Sequence, residues 1–231
     1  MRVEIIQGGA GQLADRAAVW VTERIWAAVA DRGVAHVAVS GGNTPTVMFG
    51  TLATLPVPWN AVHIWQVDER IAPDGDPDRN LVDLQTALLS KVPATPHLFD
   101  VTNPDLDAAM SAYARDLEQS CRGVLDVVHL GLGDDGHTAS WPPGDPVVDV
   151  TATDVARSLE YKGRVRLTLT VPVVNRAREI MFLVAGADKA PAVAALVDGT
   201  GTVPASHVRR DATVALLDEA AASHLATAHA G

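Results

Sequence analysis

The segment "VLDVVHLGLGDDGHTAS" (residues 124–140) joins a short apolar run to a glycine-rich, acidic turn. The run 124–130 predicts a buried β-strand, because it is rich in branched apolar residues and is bounded by turn residues. In the turn, Asp135 precedes His137 by two positions, so that in an extended backbone both side chains lie on one side. A carboxylate beside an imidazole orients the ring and stabilises its protonated form. The segment therefore predicts a general base at the end of a strand, although a polar turn with a surface histidine would have the same sequence.

The turn "GLGDDG" (131–136) formally matches the dinucleotide-binding pattern G-x-G-x-x-G. That pattern requires a helix to begin at once, with its N-terminus on the pyrophosphate. Here Pro142 and Pro143 prevent a long helix, and Asp134 and Asp135 would repel a pyrophosphate. The glycines are instead expected to direct the side chains of Asp135 and His137.

Outward from this segment, predicted strands alternate with predicted helices. Strands are predicted at 2–6, 35–40, 61–67, 124–130, 164–171 and 179–185. Helices are predicted at 13–33, 45–53, 80–90, 105–120, 189–197 and 218–228. This alternation predicts an α/β, Rossmann-like fold with a mainly parallel sheet covered by helices on both faces, and residues 1–231 are expected to form a single domain.

Ligands of such folds bind beyond the carboxyl ends of the strands, where four polar loops are expected to meet. They are "SGGNTP" (40–45), the segment 68–80 that begins "DER", the turn after residue 130, and "GADK" (186–189). In the loop 40–45, Thr44 is predicted as a helix N-cap and Pro45 as the first helical residue. The backbone N–H groups at such a helix start would form an anion site. The alternative is that the loop is only a well-capped connection. Lys189 at a helix start is unfavourable for the helix dipole unless an anion lies nearby.

Three arginines are candidates for contact with an anion. Arg70, in "DER", is expected to hold an anionic or carbonyl oxygen, with an acid such as Asp68 nearby and Asn80 as a further polar contact. In "RVRLTLT" (164–170), Arg164 and Arg166 share one face of the strand. Arg166 is the favoured phosphate ligand, and Arg164 remains the alternative.

The composition excludes several classes of function. The formal net charge of −10 argues against nucleic acid as a partner, because nucleic-acid binding depends on Lys and Arg. Neither a signal peptide nor an apolar run of membrane-spanning length is present, and the single Cys121 is expected to be structural. These features predict a cytoplasmic protein with no membrane partner. No zinc, Walker or serine-hydrolase motif occurs, which disfavours a zinc enzyme and a serine hydrolase.

Together, "SGGNTP", "DER", "GLGDDGHTAS", "RVRLTLTVPVVNRAREIMFLVAG" and "ADKA" resemble the 6-phosphogluconolactonases, in the family's order and over nearly the whole chain. The resemblance implies the deaminase/lactonase-like fold and hydrolysis of 6-phospho-D-glucono-1,5-lactone to 6-phospho-D-gluconate in the oxidative pentose phosphate pathway, without metal or cofactor. It implies that His137 is the general base, oriented by Asp135, and that Arg70 faces the lactone end or the sugar hydroxyls. The implied phosphate and substrate contacts are Ser40, Gly41, Gly42, Asn43, Thr44, Asp68, Arg166 and Lys189.

The chain departs from the family pattern at two places. Trp141-Pro142-Pro143 replaces the usual Leu-Phe-Pro, and Arg79 replaces a serine before Asn80. Two alternatives remain: a glucosamine-6-phosphate deaminase, whose pattern carries a glutamate soon after the histidine, and a sugar-phosphate sensor without activity. A monomer, or at most a weak homo-oligomer, is expected.

Overall fold

The protein was analysed as a computed structural model that describes residues 1–199 and 201–225. Its centre is a sheet of seven strands, and every paired neighbour runs parallel. The predicted Rossmann-like architecture is therefore confirmed. In spatial order the strands are β1 (Arg2–Ile6), β10 (Thr213–Asp218), β9 (Glu179–Val184), β6 (Val127–Leu130), β2 (Ala35–Val39), β3 (Val62–Gln66) and β5 (Thr95–His97).

A second, antiparallel sheet of three short strands was not predicted. It consists of β4 (Asp68–Arg70), β8 (Arg166–Leu169) and β7 (Val155–Arg157). The "DER" segment is thus a strand rather than a loop, paired with the strand that carries Arg166. Both faces of β8 are buried, whereas its alternating sequence suggested one solvated face.

Helices cover both faces of the large sheet. Successive residues of a strand point to opposite faces, so Val37 and Val39 join one apolar cluster while Ala38 joins the other. The first cluster includes residues of α1 and α2, and the second includes residues of α4, α5 and α6. The helices are α1 (Gly9–Arg32), α2 (Asn43–Leu52), α3 (Asn80–Leu84), α4 (Leu106–Cys121), α5 (Val171–Arg176) and α6 (Ala190–Asp198).

Several predicted boundaries are wrong. Helix α1 begins four residues earlier than predicted, at Gly9, because its N-cap, Gly8, makes no side-chain capping bond and leaves no sequence signal. The predicted helix 80–90 becomes a π-helical turn after residue 84. Residues 213–218 form a strand that the sequence did not reveal, since a short apolar run fits a helix or a strand equally well. Of the predicted helix 218–228, residues 219–225 form turns, and the remainder lies outside the described residues.

Within residues 1–199 and 201–225, no helix combines the length and apolar character needed to cross a membrane.

Candidate active site

The carboxyl ends of β2, β3, β6 and β9 meet at one edge of the large sheet, as predicted. The loops that follow these strands line two adjoining cavities. The first has a volume of about 190 Å³, smaller than the roughly 300–1,000 Å³ of sites for drug-sized ligands, and suits a small polar molecule. The first cavity is lined by Ser40, Gly41, Asp68, Arg70, Asn80, Gly131, Leu132, Gly133, His137, Thr138, Ala139, Arg166 and Lys189. The second shares Gly41, Gly131, Leu132 and Lys189 with it, and adds Gly42, Asn43, Thr44, Pro45, Leu183, Val184, Ala185 and Asp188.

Asp135 and His137 are in contact. Nδ1 of His137 lies 2.6 Å from Oδ1 of Asp135, which also accepts the backbone N–H of His137 at 3.1 Å. A tight turn, closed by a Gly136 N–H to Gly133 carbonyl bond of 3.1 Å, brings them together, so the extended backbone predicted here is wrong. His137 borders the cavity whereas Asp135 does not. The carboxylate therefore reaches a ligand through the imidazole.

Gly133 permits this contact. A Cβ at that position would lie 1.9 Å from Nδ1 of His137 and 2.6 Å from Oδ1 of Asp135. No side chain fits between the turn and the two catalytic candidates, so the glycine is required by close approach.

Sequence reasoning missed Tyr161. Its hydroxyl donates to Oδ2 of Asp135 at 2.5 Å and lies 3.2 Å from Nδ1 of His137. Burial raises the pKa of the Tyr161 hydroxyl. Burial acts in the same direction on Asp135, but hydrogen bonds from Tyr161 and His137 outweigh it and hold the pKa of that carboxylate well below its usual range. A lone tyrosine in a loop belongs to no spacing motif, so the sequence carried no signal for it.

Arg70 and Arg166 occupy directly opposed positions on β4 and β8, and both line the first cavity. Arg166 is 6% exposed, and its Nε has no hydrogen-bond partner. Arg164, by contrast, binds Asp76 at 3.0 Å and Asp78 at 2.8 Å outside the cavity. The geometry thus separates the two alternatives: Arg166 faces the cavity and Arg164 holds a surface loop.

Asn80 holds Arg70 in place. Nη1 of Arg70 donates to Oδ1 of Asn80 at 2.8 Å and to the carbonyl of Asp78 at 2.7 Å. Gly41 packs against the same amide, since a Cβ on Gly41 would lie 2.1 Å from Oδ1 of Asn80. An amide and a carbonyl, rather than a carboxylate, therefore orient this arginine.

Glu69 points away from the cavity and organises the loop beneath it. This fully buried carboxylate accepts the backbone N–H groups of Arg70, Asn80 and Leu81 at 2.7–2.9 Å. Its Oε2 lies 3.4 Å from Nε of Arg79, which is also buried. Arg79, the residue that departs from the family pattern, is thus a structural partner of Glu69.

The loop "SGGNTP" is confirmed as the start of a helix, but Thr44 is not its N-cap. Gly42 occupies the N-cap position without a side-chain bond, and the helix begins at Asn43. Ser40 Oγ, on the rim of the first cavity, is buried without a hydrogen-bond partner. The residues at the start of α2 line the second cavity, and their helix has no side-chain cap.

Lys189 borders both cavities. The anion expected beside it is supplied in part by the neighbouring carboxylate of Asp188. Nζ of Lys189 is 3.1 Å from a carboxylate oxygen of Asp188, a residue whose side chain is 65% exposed. Such exposed pairs contribute little to stability and exchange readily for another anion.

Asp68 and Trp141, which differs from the usual residue of the family pattern, are both held by hydrogen bonds to neighbouring residues. Oδ2 of Asp68 accepts the hydroxyl of Ser140 at 2.6 Å. Trp141 is fully buried and donates its indole N–H to the carbonyl of Leu169 at 2.9 Å. Trp141 therefore packs in the core and does not line either cavity.

The histidines on the strands of the large sheet do not line either cavity. His36, His63 and His97 stack near Trp65, and His129 is fully buried. Burial lowers the pKa of His36 to about 4 and that of His129 to about 3. Among the described ranges 1–199 and 201–225, no cluster of three His, Cys, Asp or Glu side chains is arranged to hold a metal ion.

The sequence and the structure were compared with those of known proteins. The model of the family "Glucosamine-6-phosphate isomerases/6-phosphogluconolactonase" matches residues 9–216. A 6-phosphogluconolactonase of Streptomyces coelicolor is 36% identical over 236 residues, covering 92% of this chain and 90% of that protein.

Solved structures share the fold. A 6-phosphogluconolactonase from Thermotoga maritima superimposes with a TM-score of 0.83 at 23% identity, covering 94% of this chain and 99% of that one. A monomeric glucosamine-6-phosphate deaminase gives 0.84 at 21% identity, covering 97% of this chain and 100% of the other. Both lactonase and deaminase structures therefore match the fold equally well, and the site residues must distinguish them.

A doubly covered parallel sheet with a histidine–aspartate pair and two arginines at its carboxyl edge defines an α/β enzyme with a site for a small anionic substrate. The chain belongs to the family of glucosamine-6-phosphate isomerases and 6-phosphogluconolactonases.

Proposed function

We propose that this chain, acting as a single α/β domain, hydrolyses 6-phospho-D-glucono-1,5-lactone to 6-phospho-D-gluconate. The observation that carries the proposal is the contact of 2.6 Å between His137 and Asp135 at the wall of a cavity that also holds Arg70, Arg166 and Lys189. The similarity to proteins named 6-phosphogluconolactonase supports the same reaction.

His137 is the proposed general base. With Nδ1–H directed to Asp135, Nε2 carries the lone pair that accepts a proton from water as the water oxygen attacks C1 of the lactone. Collapse of the tetrahedral intermediate breaks the bond between C1 and the ring oxygen. The protonated imidazole returns its proton to that oxygen, so His137 is regenerated.

The oxyanion that forms on C1 requires a hydrogen-bond donor. The amides of Gly133 and Gly136 are already used within the turn, because they donate to His137 and Gly133 carbonyls at 2.8 and 3.1 Å. Arg70 lines the same cavity, and its Nη1 alone accounts for the bonds to Asp78 and Asn80. The Nε and Nη2 groups of Arg70 are therefore the proposed donors to the oxyanion or to sugar hydroxyls.

The phosphate is proposed to lie where the two cavities join, at Gly41 and Lys189. Two buried cavity-wall atoms without partners, Ser40 Oγ and Arg166 Nε, support an anion here, because buried polar groups normally have a hydrogen-bond partner. Backbone N–H groups from Gly42, Asn43 and Thr44 at the start of α2 complete the proposed set. Asp68 is proposed to contact a sugar hydroxyl.

A deaminase would require an acid soon after the histidine, to take part in ring opening. The first acid is Asp145, which accepts backbone N–H groups of Val147 and Leu159 at 2.9 and 2.8 Å and does not line either cavity. This engagement favours the lactonase. A sensor would keep the anion site, but the oriented His137 would then serve no purpose.

The test is to generate the lactone in situ and to follow its loss above the spontaneous rate, with wild type and His137→Ala compared. We expect wild type to accelerate the loss, and the variant to lose roughly 10²–10⁴-fold in kcat while binding inorganic phosphate normally. Equal loss of turnover and of phosphate binding would reject the base assignment. If wild type gives no acceleration, lactone hydrolysis is rejected, and turnover of glucosamine 6-phosphate decides between the deaminase and the sensor.

The reaction is further proposed to take place in the cytoplasm, in a monomer that uses neither metal nor organic cofactor. The unpaired Cys121 is consistent with a reducing compartment. Gel filtration with light scattering tests the monomer, and retention of activity after treatment with EDTA tests metal independence.

A further inference from the structure

Tyr161 lies beside the proposed catalytic pair without touching the cavity. Its ring meets the imidazole of His137 edge-on, with 5.2 Å between ring centroids. Neither Tyr161 nor Asp135 is among the cavity-lining residues, although His137 is. The Tyr161 ring also lies under the guanidinium of Arg166, 5.1 Å from its Cζ, but this contact involves the ring and not the hydroxyl. Any effect of the hydroxyl on a substrate is therefore expected to pass through Asp135 and His137.

The two oxygens of Asp135 are divided between two partners. Oδ1 lies 2.6 Å from Nδ1 of His137, and Oδ2 accepts a hydrogen bond of 2.5 Å from the hydroxyl of Tyr161. The Asp135 side chain is 32% exposed, so without a second partner it would exchange its bond to His137 for bonds to water. The hydroxyl thus fixes the orientation in which Oδ1 faces the imidazole.

The same hydroxyl also favours one tautomer of His137. Nδ1 lies between two oxygens, Oδ1 of Asp135 and Oη of Tyr161 at 3.2 Å, so the proton is retained on Nδ1 and the lone pair on Nε2. Burial and the bond to Asp135 raise the pKa of Tyr161, which keeps the hydroxyl a donor throughout the neutral range.

A tight hairpin holds Tyr161 in position. Tyr161 and Arg164 exchange backbone hydrogen bonds of 2.9 and 3.2 Å around the residues between them. Arg164 then anchors the hairpin to the opposite loop through Asp76 and Asp78. Because Arg164 anchors the hairpin, the position of Tyr161 is set by the fold and not by a ligand.

We propose that Tyr161 is a positioning residue for the reaction, which holds the carboxylate of Asp135 so that His137 presents the lone pair of Nε2 to the attacking water. This inference rests on the proposed lactone hydrolysis.

The test is Tyr161→Phe, which removes the hydroxyl and keeps the ring. We expect kcat to fall roughly 10-fold, a part of the 10²–10⁴-fold that a well-placed base supplies, while KM changes less than about 2-fold. Without the hydroxyl the Asp135 carboxylate is free to turn towards water, so the loss should appear in kcat and not in KM, a split that a merely structural role would not give.

Tyr113→Phe is the matched control, since the chain has two tyrosines. The Tyr113 hydroxyl is buried and donates to the carbonyl of Gln66 at 2.7 Å, away from the cavity. Its loss should lower the melting temperature but leave kcat and KM unchanged. A purely structural role for Tyr161 would give the same result as this control and would overturn the proposal.

A double-mutant cycle with Asp135→Asn tests the route of the effect. If Tyr161 acts through Asp135, Tyr161→Phe should cost less than about 2-fold in the Asp135→Asn background. A full 10-fold loss there would show that the hydroxyl acts elsewhere and would reject the inference. Failure of the wild type to hydrolyse the lactone would instead reject the proposed function, so the two failures are distinguishable.

Discussion

Arg70 and Arg166 are directly opposed neighbours on two antiparallel strands, at the wall of the same cavity. Like charges at opposed positions destabilise a sheet, and burial lowers the pKa of Arg166, chiefly through loss of hydration. A phosphate held by Arg166 would offset the repulsion between the two guanidinium groups. The empty protein is therefore expected to gain stability on binding phosphate.

Arg166→Met should abolish this gain. Inorganic phosphate at 100 times its Kd stabilises wild type by about 2.7 kcal/mol, which corresponds to a shift in melting temperature of roughly 5–10 °C. We expect the variant to show less than about 1 °C of shift and a large increase in KM. Arg164→Met is the control, because Arg164 binds only Asp76 and Asp78 and should leave the response intact. An equal shift in wild type and Arg166→Met would remove Arg166 from the phosphate site.

Gly133→Ala should separate His137 from Asp135. The added Cβ would overlap both side chains, so the pair must move apart, and a displacement of about 1 Å can cost on the order of 10²-fold in rate. We expect kcat to fall by that order and KM to change little. In Gly50→Ala, where the added methyl group meets no atom within 4 Å, kcat should remain that of wild type. Steady-state kinetics of the two variants decide the matter, and normal kcat for Gly133→Ala would contradict the geometry of the turn.

Glu69→Ala should unfold the region around the site. The substitution leaves Arg79 buried beside three backbone N–H groups that have lost their acceptor, and breaking such a buried pair costs about 3–5 kcal/mol. The melting temperature should fall by roughly 10 °C. Glu160→Ala, at an exposed position, should change it by less than about 2 °C. Similar melting temperatures for the two variants, measured by calorimetry, would refute the structural role of Glu69.

Stability should fall below pH 6.5 because of buried histidines. The pKa of His129 is about 3 and that of His36 about 4 in the folded protein, against about 6.5 when unfolded. Between the folded-state and unfolded-state pKa values, the unfolded chain binds more protons than the folded protein. The stabilisation that the neutral histidines provide is therefore fully present above pH 6.5 and is lost as the pH falls towards the folded-state pKa values. Each group contributes at most about 1.4 kcal/mol per pH unit.

Denaturant unfolding between pH 6.5 and 5 measures this slope while most carboxylates remain charged. His129→Asn should make it shallower by up to about 1.4 kcal/mol per pH unit. His207→Asn, which removes an exposed histidine, should not alter it. A slope unchanged by His129→Asn would mean that His129 is not held neutral by burial.

The sequence predicted those parts of the fold that depend on local patterns. The alternation of strands and helices was sufficient for the parallel sheet. The predicted end of helix 13–33 and the predicted start of helix 105–120 each lie within one residue of the observed bounds. The alternation was insufficient for β4 and for its pairing with β8, because the pairing of residues 68–70 with 166–168 joins segments almost a hundred positions apart. Tyr161 was missed because its contact with Asp135, 26 positions away in the chain, depends on a hairpin that leaves no motif.

The buried contacts of Glu69 have a thermodynamic consequence. They hold residues 70, 80 and 81 through the main chain, so the loop that carries Arg70 and Asn80 is already ordered in the absence of ligand. Substrate then loses its own freedom on binding, but little of the loop's conformational entropy remains to be lost. The heat-capacity change of substrate binding should therefore reflect only the small apolar area of the sugar phosphate. It should lack the large negative contribution that accompanies folding of a segment around its ligand.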